Sequence, residues 1–387
     1  MSRQSSGHNS PGEGTVYRRS DGRWCAIVSE GGGKRKYLYA PTEREVRRKL
    51  NLRLRDQAGG LPPTDDRLTV AGFLTRWLEE VVKPSVRPLT YRSYERVCRV
   101  HLIRELGHLR LSKLAPADVQ GLMARKLAEG LAPRHVAYIR VVLRVALGRA
   151  VKWGDLNRNV AALTDPPKTR RFEIAPLGAD EARTFLAATA TDRLHALYVL
   201  ALTTGLREGE LLGLTWADLD LERRQARVRQ QLQRVNGKLA LVEPKTSATR
   251  RMVMLTTMAT DALTSHRERQ LFERRAAGEV WTETGLIFTS KLGTPLEPRN
   301  AVRSFKAALR AARLPNRRFH DLRHSCASLL LAEGVPLKVV AEILGHASIR
   351  LTADTYSHVV PALQADAAGR LDALFAPIRP ALEVPGS

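Results

Sequence analysis

The stretch "HDLRHSCASLLL", residues 320–331, places two histidines and an arginine at the start of an apolar run. His320 and Arg323 are three residues apart, and His324 follows His320 by four, so a helix would bring all three side chains together near its N-terminus. A single histidine is more often a satisfied member of a core than a ligand. That ordinary interpretation does not account for a basic trio at the start of a helix that is otherwise apolar.

The charge of the chain favours a polyanionic partner. Its 387 residues exceed one ordinary domain, and they carry a formal net charge of +24. The excess is +6 in residues 1–65, +12 in residues 66–172 and +6 in residues 173–387. Arginine, which is more frequent in this chain than lysine, is suited to binding phosphate. We therefore predict a nucleic-acid partner. A membrane surface is the rival partner, but no apolar run reaches spanning length and no helix resembles a basic amphipathic anchor.

The N-terminus and the cysteines indicate the compartment. The leader "MSRQSSGHNSPGEG", residues 1–14, has no apolar core, so no secretory signal is predicted and we expect the protein in the cytoplasm. Cys25, Cys98 and Cys326 lie far apart and form no CxxC pair. We expect reduced thiols rather than a disulfide framework or a zinc ribbon.

The first two segments of the chain differ in periodicity. Apolar and polar residues alternate in residues 14–42 around two glycine-containing turns, which predicts a small three-stranded antiparallel sheet. Thr42 is then a suitable N-cap for a basic helix that runs to about residue 57. Residues 68–163 instead show apolar residues at three- and four-residue spacing, which predicts a compact helical bundle.

Two proline-containing linkers, residues 59–66 and 164–176, separate three predicted domains. The fold class is multidomain α+β: a sheet plus helix in residues 1–60, a helical bundle in residues 67–165, and a mostly helical domain with a small antiparallel sheet in residues 173–380. In the last domain a strand pair is predicted from "ARVRQQ" and "GKLALVEPKTSATRRMVML", with a hairpin turn near Lys245.

Two further stretches of the last domain place cations at helix ends or turns. Arg207, in "TTGLREGEL", follows the helix-ending Gly205 and stands in the first turn of the next helix, where unpaired N–H groups favour an anion. The alternative is an ion pair with Glu208 or Glu210 on a solvated face. Lys245 lies at the predicted hairpin turn, where a lysine is ordinarily a solubilising charge.

The stretch "VPLKVVAEILGHASIRLTADTYSHV" completes the set of candidate site residues. Pro336 suits the first turn of a helix that Gly345 ends, which places His346 on the following loop. Ser348 can cap the next helix, and that helix carries Tyr356. The ordinary interpretation of Tyr356 is an amphipathic aromatic residue of the core.

Together these residues resemble the catalytic set of the tyrosine recombinase, or phage integrase, family. The family order of arginine, lysine, histidine-x-x-arginine, histidine and tyrosine is matched by Arg207, Lys245, His320, Arg323, His346 and Tyr356. The words "TGLREGEL", "HDLRHS", "LGHAS" and "TADTYSHV" are similar to the family's motifs. The resemblance is strongest over about residues 175–375. Residues 68–163 are similar to the family's core-binding domain, and residues 14–57 to its arm-binding domain.

The resemblance implies a site-specific recombinase that cleaves and rejoins DNA through a 3′-phosphotyrosyl intermediate. Tyr356 would be the nucleophile, Arg207 and Arg323 would hold the non-bridging oxygens, and His320 is the candidate base. Lys245 would protonate the departing 5′ oxygen, and His346 would donate a hydrogen bond to the phosphate. Supporting roles fall to Asp321, His324 and Glu210.

The partners and cofactors that the resemblance implies are equally specific. The DNA would be double-stranded, with core and arm-type attachment sites, and the protein would act as a homotetramer that integrates or excises a phage or other mobile element. Accessory DNA-bending or directionality proteins are further candidate partners. Neither a metal nor ATP is required.

Four rival functions stay open. A metal-dependent nuclease would use Asp218, Asp220 and Glu222, although these alternate along a short stretch and are typical of a solvated turn. A zinc protein would use His320, His324, His346 and His358, but no HExxH motif or cysteine pair accompanies them. A non-catalytic DNA-binding regulator would need only the basic domains. A type IB topoisomerase would use similar chemistry as a monomer.

Overall fold

The computed structural model divides the chain into two compact units, residues 1–171 and 172–387. It describes residues 14–29, 35–58, 67–169, 174–235, 237–243, 250–346, 348–356 and, near the C-terminus, residues 368, 371, 372, 374 and 375. The first unit contains two separate hydrophobic cores, one in its sheet and one in its helices. The predicted division of this unit into two domains stays a prediction.

The N-terminal sheet has the three antiparallel strands that the sequence predicts. They are β1 (Thr15–Arg18), β2 (Trp24–Ser29) and β3 (Arg35–Ala40), in the order β1-β2-β3, followed by α1 (Glu43–Ala58). Thr42 accepts a hydrogen bond from the backbone N–H of Glu45, as expected of an N-cap. Ala26, Val28 and Ala40 line the face of the sheet that packs with Val46 and Leu50 of the helix. The opposite face carries the exposed side chains of Tyr17, Tyr37 and Tyr39.

The helical part of the first unit forms around one core, as predicted. Its α-helices are α2 (Val70–Trp77), α3 (Lys83–Ser85), α4 (Pro88–Val97), α5 (Arg104–Leu106), α6 (Pro116–Ala128) and α7 (Pro133–Trp153). Short π-helical segments, Leu78–Val82 and Cys98–Ile103, join α2 to α3 and α4 to α5, and 3-10 turns occupy Leu111–Lys113 and Val160–Leu163. Prolines open α4, α6 and α7 because their missing N–H costs nothing in the first turn.

The second unit mixes helices with small antiparallel sheets. Its helices are α8 (Ala179–Ala188), α9 (His195–Thr204), α10 (Glu208–Leu212), α11 (Thr257–Ala277), α12 (Pro298–Ala311), α13 (Asp321–Ala332), α14 (Leu337–Leu344) and α15 (Ile349–Tyr356). In the described part of this unit, 3-10 turns occupy Trp216–Asp218 and Gly278–Val280. Its strands are β4 (Leu219–Asp220), β5 (Gln225–Val228), β6 (Gln231–Val235), β7 (Lys238–Val242) and β8 (Arg251–Met254). Among all described residues, no helix is both long enough and apolar enough to cross a membrane.

Helix α9 is the centre of the second unit. Nearly every residue of "HALYVLALTT" is buried, so the helix is apolar around its whole circumference, which is typical of a helix enclosed by others. It packs against α11 on one side and α13 on the other. The residues that follow α9 therefore leave the core at a fixed position, beside the start of α13.

The strand pairing around Lys245 differs from the prediction. Strand β7 pairs with β6 as a two-stranded ribbon, whereas β8 pairs with β5 in the sheet β4-β5-β8. The predicted hairpin turn near Lys245 is therefore wrong, because the strands on either side of it belong to different sheets. The predicted pairing of "ARVRQQ" with the later stretch is confirmed by β5 and β8, but the sequence pattern did not predict β6 or its pairing with β7. Lys245 itself lies outside the described residues.

Gly205 ends α9 in a conformation that other residues adopt at a cost. Its φ is +60°, and a Cβ atom there would lie 2.6 Å from Cδ2 of Leu344 and 3.3 Å from Sγ of Cys326. Both the backbone conformation and the space beside it therefore favour glycine. Because Gly205 has no side chain, the end of α9 can pack closely against α13 and α14.

We predict that Gly205→Ala destabilises the second unit more than Gly285→Ala does. Gly285 has a similar φ of +66°, but a Cβ atom there would meet no other atom within 4 Å, so its substitution reports backbone strain alone. Strain costs about 1–2 kcal/mol, and displacing Leu344 adds roughly 1–3 kcal/mol for Gly205→Ala. Urea unfolding of the full chain measures both values. Equal losses would show that the contact with Leu344 relaxes at no cost.

Candidate active site

The guanidinium of Arg323 is buried between the ends of two helices. Its Nη1 donates to the carbonyl oxygen of Gly205 at 2.7 Å, and its Nη2 donates to that of Leu344, also at 2.7 Å. These carbonyls lie at the C-termini of α9 and α14, where the helix dipole is negative. Burial lowers the pKa of Arg323 to about 10, so the side chain stays charged at neutral pH. It uses two of its five N–H donors on these carbonyls.

The carboxylate of Glu210 joins two further arginines. Its Oε1 accepts from Nη1 of Arg207 at 2.8 Å, and its Oε2 accepts from the backbone N–H of Arg207 at 3.0 Å and from Nη2 of Arg251 at 3.1 Å. The glutamate side chain is only 1 % exposed. Burial alone would raise its pKa, but the charge of Arg251 and its bonds to Arg207 hold the pKa below the usual value. The alternative pairing of Arg207 with Glu210 exists, with a buried glutamate and an arginine side chain that is 37 % exposed.

The turn that follows α14 brings these arginines together. Nε of Arg251 donates to the carbonyl of Ile343 at 2.9 Å, and Nη2 of Arg207 makes a long contact of 3.4 Å with the carbonyl of Gly345. A Cβ atom on Gly345 would lie 2.8 Å from the guanidinium of Arg251, so this glycine admits the arginine. Arg207, Arg251 and Arg323 thus converge on one turn of the chain.

His346 extends from this turn. Its Nδ1 lies 2.8 Å from the Oγ1 of Thr352, a residue of α15 that is fully buried. Burial and then the charges of Arg323 and Arg207 lower the pKa of His346 to about 4, so the ring is neutral at pH 7. As predicted, Gly345 ends α14 with φ of +64°, and Ser348 accepts from the backbone N–H of Arg350 at the start of α15.

The "HDLRHS" motif begins α13, as predicted. His320 is the N-cap residue and is exposed, whereas Arg323 is buried in the first turn. The rings of His320 and His324 are perpendicular, with centroids 5.1 Å apart. Desolvation and the charge of Arg323 lower the pKa of His320. Asp321 accepts hydrogen bonds from Arg318, including one of 2.7 Å from Nη2, which supports the start of the helix.

Tyr356, the last residue of α15, is packed inside the unit with its hydroxyl beside this motif. The residue is 2 % exposed, and its ring belongs to a small apolar cluster with Ala327, Leu331, Val340 and Leu344. Its Oη lies 2.9 Å from Nδ1 of His324. Burial raises the pKa of the phenol to about 12, although the charge of Arg323 acts in the opposite direction.

The structure therefore brings five of the six predicted site residues into one region, and the sixth, Lys245, lies outside the described residues. Sequence reasoning missed Arg251 and Thr352, and it gave His324 only a supporting role. Arg251 is the second of two adjacent arginines and the first residue of β8, and no spacing rule distinguishes it. Thr352 and His324 acquire their contacts only when α13 and α15 pack together.

The carboxylates of the rival metal-dependent site have structural partners. Asp218 is buried, accepts from the backbone and hydroxyl of Thr215 at 3.0 and 2.7 Å, and pairs with Arg229. Asp220 accepts from the backbone N–H of Arg223 at 2.8 Å. Both aspartates therefore stabilise the local chain, although Asp218 is buried and the turn interpretation expects it to be solvated. His358, a member of the rival zinc set, lies outside the described residues.

Comparisons with known proteins agree with this geometry. Residues 175–362 match the model of the phage integrase family, and residues 69–127 match the phage integrase N-terminal SAM-like domain. A tyrosine recombinase XerC-like protein of Caldanaerobacter subterraneus is 32 % identical over 360 residues, which cover 88 % of this chain and 92 % of the relative. An integrase of Streptomyces ambofaciens is 32 % identical over 355 residues, 88 % of each chain.

Solved structures share the fold. The integrase of transposon Tn1549, in complex with a circular intermediate DNA, has a TM-score of 0.66 at 23 % identity and covers 75 % of this chain and 95 % of its own. A lambda integrase tetramer bound to a Holliday junction has a TM-score of 0.53 at 21 % identity and covers 88 % and 96 %. The chain therefore belongs to the phage integrase family of tyrosine-type site-specific DNA recombinases.

We predict that His324 and His346 stay neutral until the pH falls to about 4. An unfolded chain protonates histidine near pH 6.5, so between those values it binds more protons than the folded chain. The free energy of unfolding should therefore fall as the pH drops from 6.5 towards 4. NMR titration of the ring protons, assigned with His324→Asn and His346→Asn, checks the pKa values directly. A midpoint near 6.5 for either ring would contradict the buried environment described above.

Proposed function

We propose that the protein cleaves DNA by attack of Tyr356 on a phosphodiester, forms a 3′-phosphotyrosyl link, and reverses the step to rejoin strands. The observation that carries this proposal is the position of the Tyr356 hydroxyl, which bonds to His324 beside the buried Arg323. Its setting in a region of positive charge is what a phenol nucleophile needs, because the phenolate and the phosphate are both anions.

Arg207 and Arg323 are suited to the non-bridging oxygens of the phosphate. Attack places extra negative charge on these oxygens, and fixed guanidinium donors stabilise that charge without rearranging. In the described contacts, the carboxylate of Glu210 bonds to both Arg207 and Arg251, and Arg323 is bound by carbonyl oxygens, so one carboxylate stands among three guanidinium groups. The cluster therefore keeps a positive charge for the DNA. Arg251 is a positioning residue, because it orients Glu210 and the turn before His346.

His346 is proposed as a neutral donor to the phosphate. If the hydroxyl of Thr352 donates to Nδ1, the proton of the neutral ring must be on Nε2, which can then donate to a phosphate oxygen. The buried threonine would thereby select the tautomer that the reaction needs.

Proton transfer at the two bridging oxygens completes the proposal. Tyr356 must lose its proton, and the pair His320 and His324 stands beside it. The departing 5′ oxygen must gain a proton, which the family resemblance assigns to Lys245. The P–O bond to the 5′ oxygen breaks as the bond to Oη forms, so the energy of the phosphodiester is kept for rejoining. No metal or ATP enters these steps.

The partner is proposed to be double-stranded DNA with two kinds of site. The helical domain of residues 67–165 would bind the core site together with the catalytic domain of residues 173–380, and residues 1–60 would bind an arm site. On the outward face of the N-terminal sheet, Tyr17, Tyr37 and Tyr39 are exposed, and the guanidinium of Arg19 lies 5.2 Å from the ring of Tyr39. Basic and aromatic side chains on one exposed sheet face suit nucleic acid.

The biological setting follows from the same proposal. We infer a homotetramer on DNA that integrates or excises a mobile element in the cytoplasm, assisted by DNA-bending or directionality proteins. The lambda integrase tetramer on a Holliday junction supports the assembly by its shared fold. An integrated element should be bordered by a direct repeat, and a duplex built on that repeat is the substrate for the experiments below.

Tyr356→Phe should keep duplex binding and abolish the covalent adduct on a nicked duplex that carries the repeat. The hydroxyl forms the bond to phosphorus, whereas the buried ring supports the fold and remains. Denaturing gel electrophoresis of protein with end-labelled DNA measures the adduct, and it should also form in EDTA.

The matched control is Tyr198→Phe. Tyr198 is likewise buried in the second unit, and its hydroxyl has no hydrogen-bond partner among the described residues. Its substitution should leave the adduct intact. An adduct that survives Tyr356→Phe, or that requires magnesium, would contradict the assignment.

A further inference from the structure

The hydroxyl of Tyr356 contacts a histidine that the predicted catalytic set does not contain. Nδ1 of His324 lies 2.9 Å from Oη of Tyr356, and the two ring centroids are 5.7 Å apart. His320, the candidate base from the sequence, instead lies against the ring of His324 at 5.1 Å. His324 therefore contacts both His320 and the nucleophile.

Helix geometry fixes His324 in this position. It occupies the first turn of α13, one residue after the buried Arg323 and one turn after His320. Its partner Tyr356 is the last residue of α15, whose apolar neighbours lie on α13 and α14. The ring of Tyr356 cannot leave without disturbing the packing of three helices, and the backbone of α13 holds His324 beside it. The contact is thus built into the fold rather than made by a mobile side chain.

The charge state of His324 leaves it able to accept a proton. Burial and then the charge of His320 lower its pKa to about 4, with smaller effects of Arg318 and Arg323 and an opposing effect of Asp321. The ring is neutral at pH 7, so one of its two nitrogens has a free lone pair. A phenol O–H beside Nδ1 can donate to that lone pair.

We propose that His324 accepts the proton of Tyr356 when this hydroxyl attacks the phosphate. The proposal rests on the proposed function and refines it. The O–H bond of the phenol breaks and an N–H bond forms at Nδ1 as Oη bonds to phosphorus. The P–O bond to the 5′ oxygen breaks, and that oxygen takes its proton from a separate acid. In rejoining, the histidinium returns its proton to Oη.

DNA binding would improve this transfer. The charges around His324 in the free protein disfavour a second cation, and burial of the phenol disfavours its anion. A phosphate bound by Arg207 and Arg323 adds a negative charge that offsets those cations and so favours protonation of His324. The proton would move only when the substrate is in place.

A purely orienting hydrogen bond is the alternative role for His324, and His324→Asn separates the two. Asparagine can place an amide oxygen or nitrogen near the position of Nδ1, so it can bond to the hydroxyl but cannot take its proton at neutral pH. His324→Phe removes both functions and retains an aromatic ring. The control is His195→Phe, because His195 is a half-buried histidine of the same unit whose Nδ1 bonds to Thr189 at 3.2 Å.

The experiment measures adduct formation by the full-length protein on the nicked repeat duplex from pH 6 to pH 10, with duplex affinity and thermal unfolding determined in parallel. Both His324→Asn and His324→Phe should be slower than wild type at pH 7 by about a hundred- to ten-thousandfold, the usual contribution of a general base. Their deficit should shrink as the pH rises, because hydroxide then removes the proton. His195→Phe should match wild type.

A second measurement keeps the result independent of folding effects. A fluorinated tyrosine at position 356 has a more acidic hydroxyl, so it should accelerate both His324 variants more than it accelerates the wild type. Recovery of near wild-type rates by His324→Asn, or deficits that do not change with pH or with the fluorinated tyrosine, would overturn the proposal. If the wild type itself forms no adduct through Tyr356, the proposed function fails instead.

Discussion

The second unit is organised around a buried positive charge. Removing a guanidinium from water costs several kcal/mol, and the cost is offset only where strong acceptors replace the water. For Arg323 these acceptors are the last carbonyls of α9 and α14, which the helices leave without partners of their own. The arginine thus satisfies two helix ends, and the two helix ends hold the arginine. If either helix moved, the buried guanidinium would lose one of its acceptors. No other group in the described site would then offset the free-energy cost of its burial.

This constraint explains why the rest of the site lies where it does. Gly205 and Gly345 end their helices in left-handed conformations beside the carbonyls of Gly205 and Leu344 to which Arg323 donates. They also start the segments that carry Arg207 and His346. Glu210 then holds Arg207 and Arg251 on one carboxylate. In the proposed reaction the anion that binds this cluster is the scissile phosphate. Because the donors are already held by helix ends and by Glu210, a phosphate would meet them without a large rearrangement.

Much of this architecture is encoded locally and can be predicted from sequence. Helix ends at Gly205 and Gly345, the N-cap at Thr42, and the placement of "HDLRHS" at the start of α13 follow from short-range rules. The catalytic candidates were recognised because their order and flanking words resemble a family, since one histidine or arginine alone carries little information.

Contacts between segments that are far apart in sequence could not be predicted from local patterns. The pairing of β8 with β5 instead of β7 depends on the whole sheet, because either partner satisfies an alternating pattern. The role of Arg251 depends on a glutamate 41 residues away, and the bond between His324 and Tyr356 spans 32 residues. Neither separation in sequence corresponds to the short repeat of a helix or a strand, so no periodicity rule predicts these two contacts.

The central claim is that the arginine cluster exists to hold the charge of one phosphate. It is tested most directly by comparing wild type with Arg207→Met on two nicked duplexes, one with the natural scissile phosphate and one with an uncharged methylphosphonate there. Loss of one such donor should slow adduct formation by about a hundred- to a thousandfold on the phosphate. On the methylphosphonate the two proteins should differ far less, because a neutral methyl group replaces one charged oxygen and the reacting centre carries one negative charge fewer. An equal deficit on both duplexes would contradict the account.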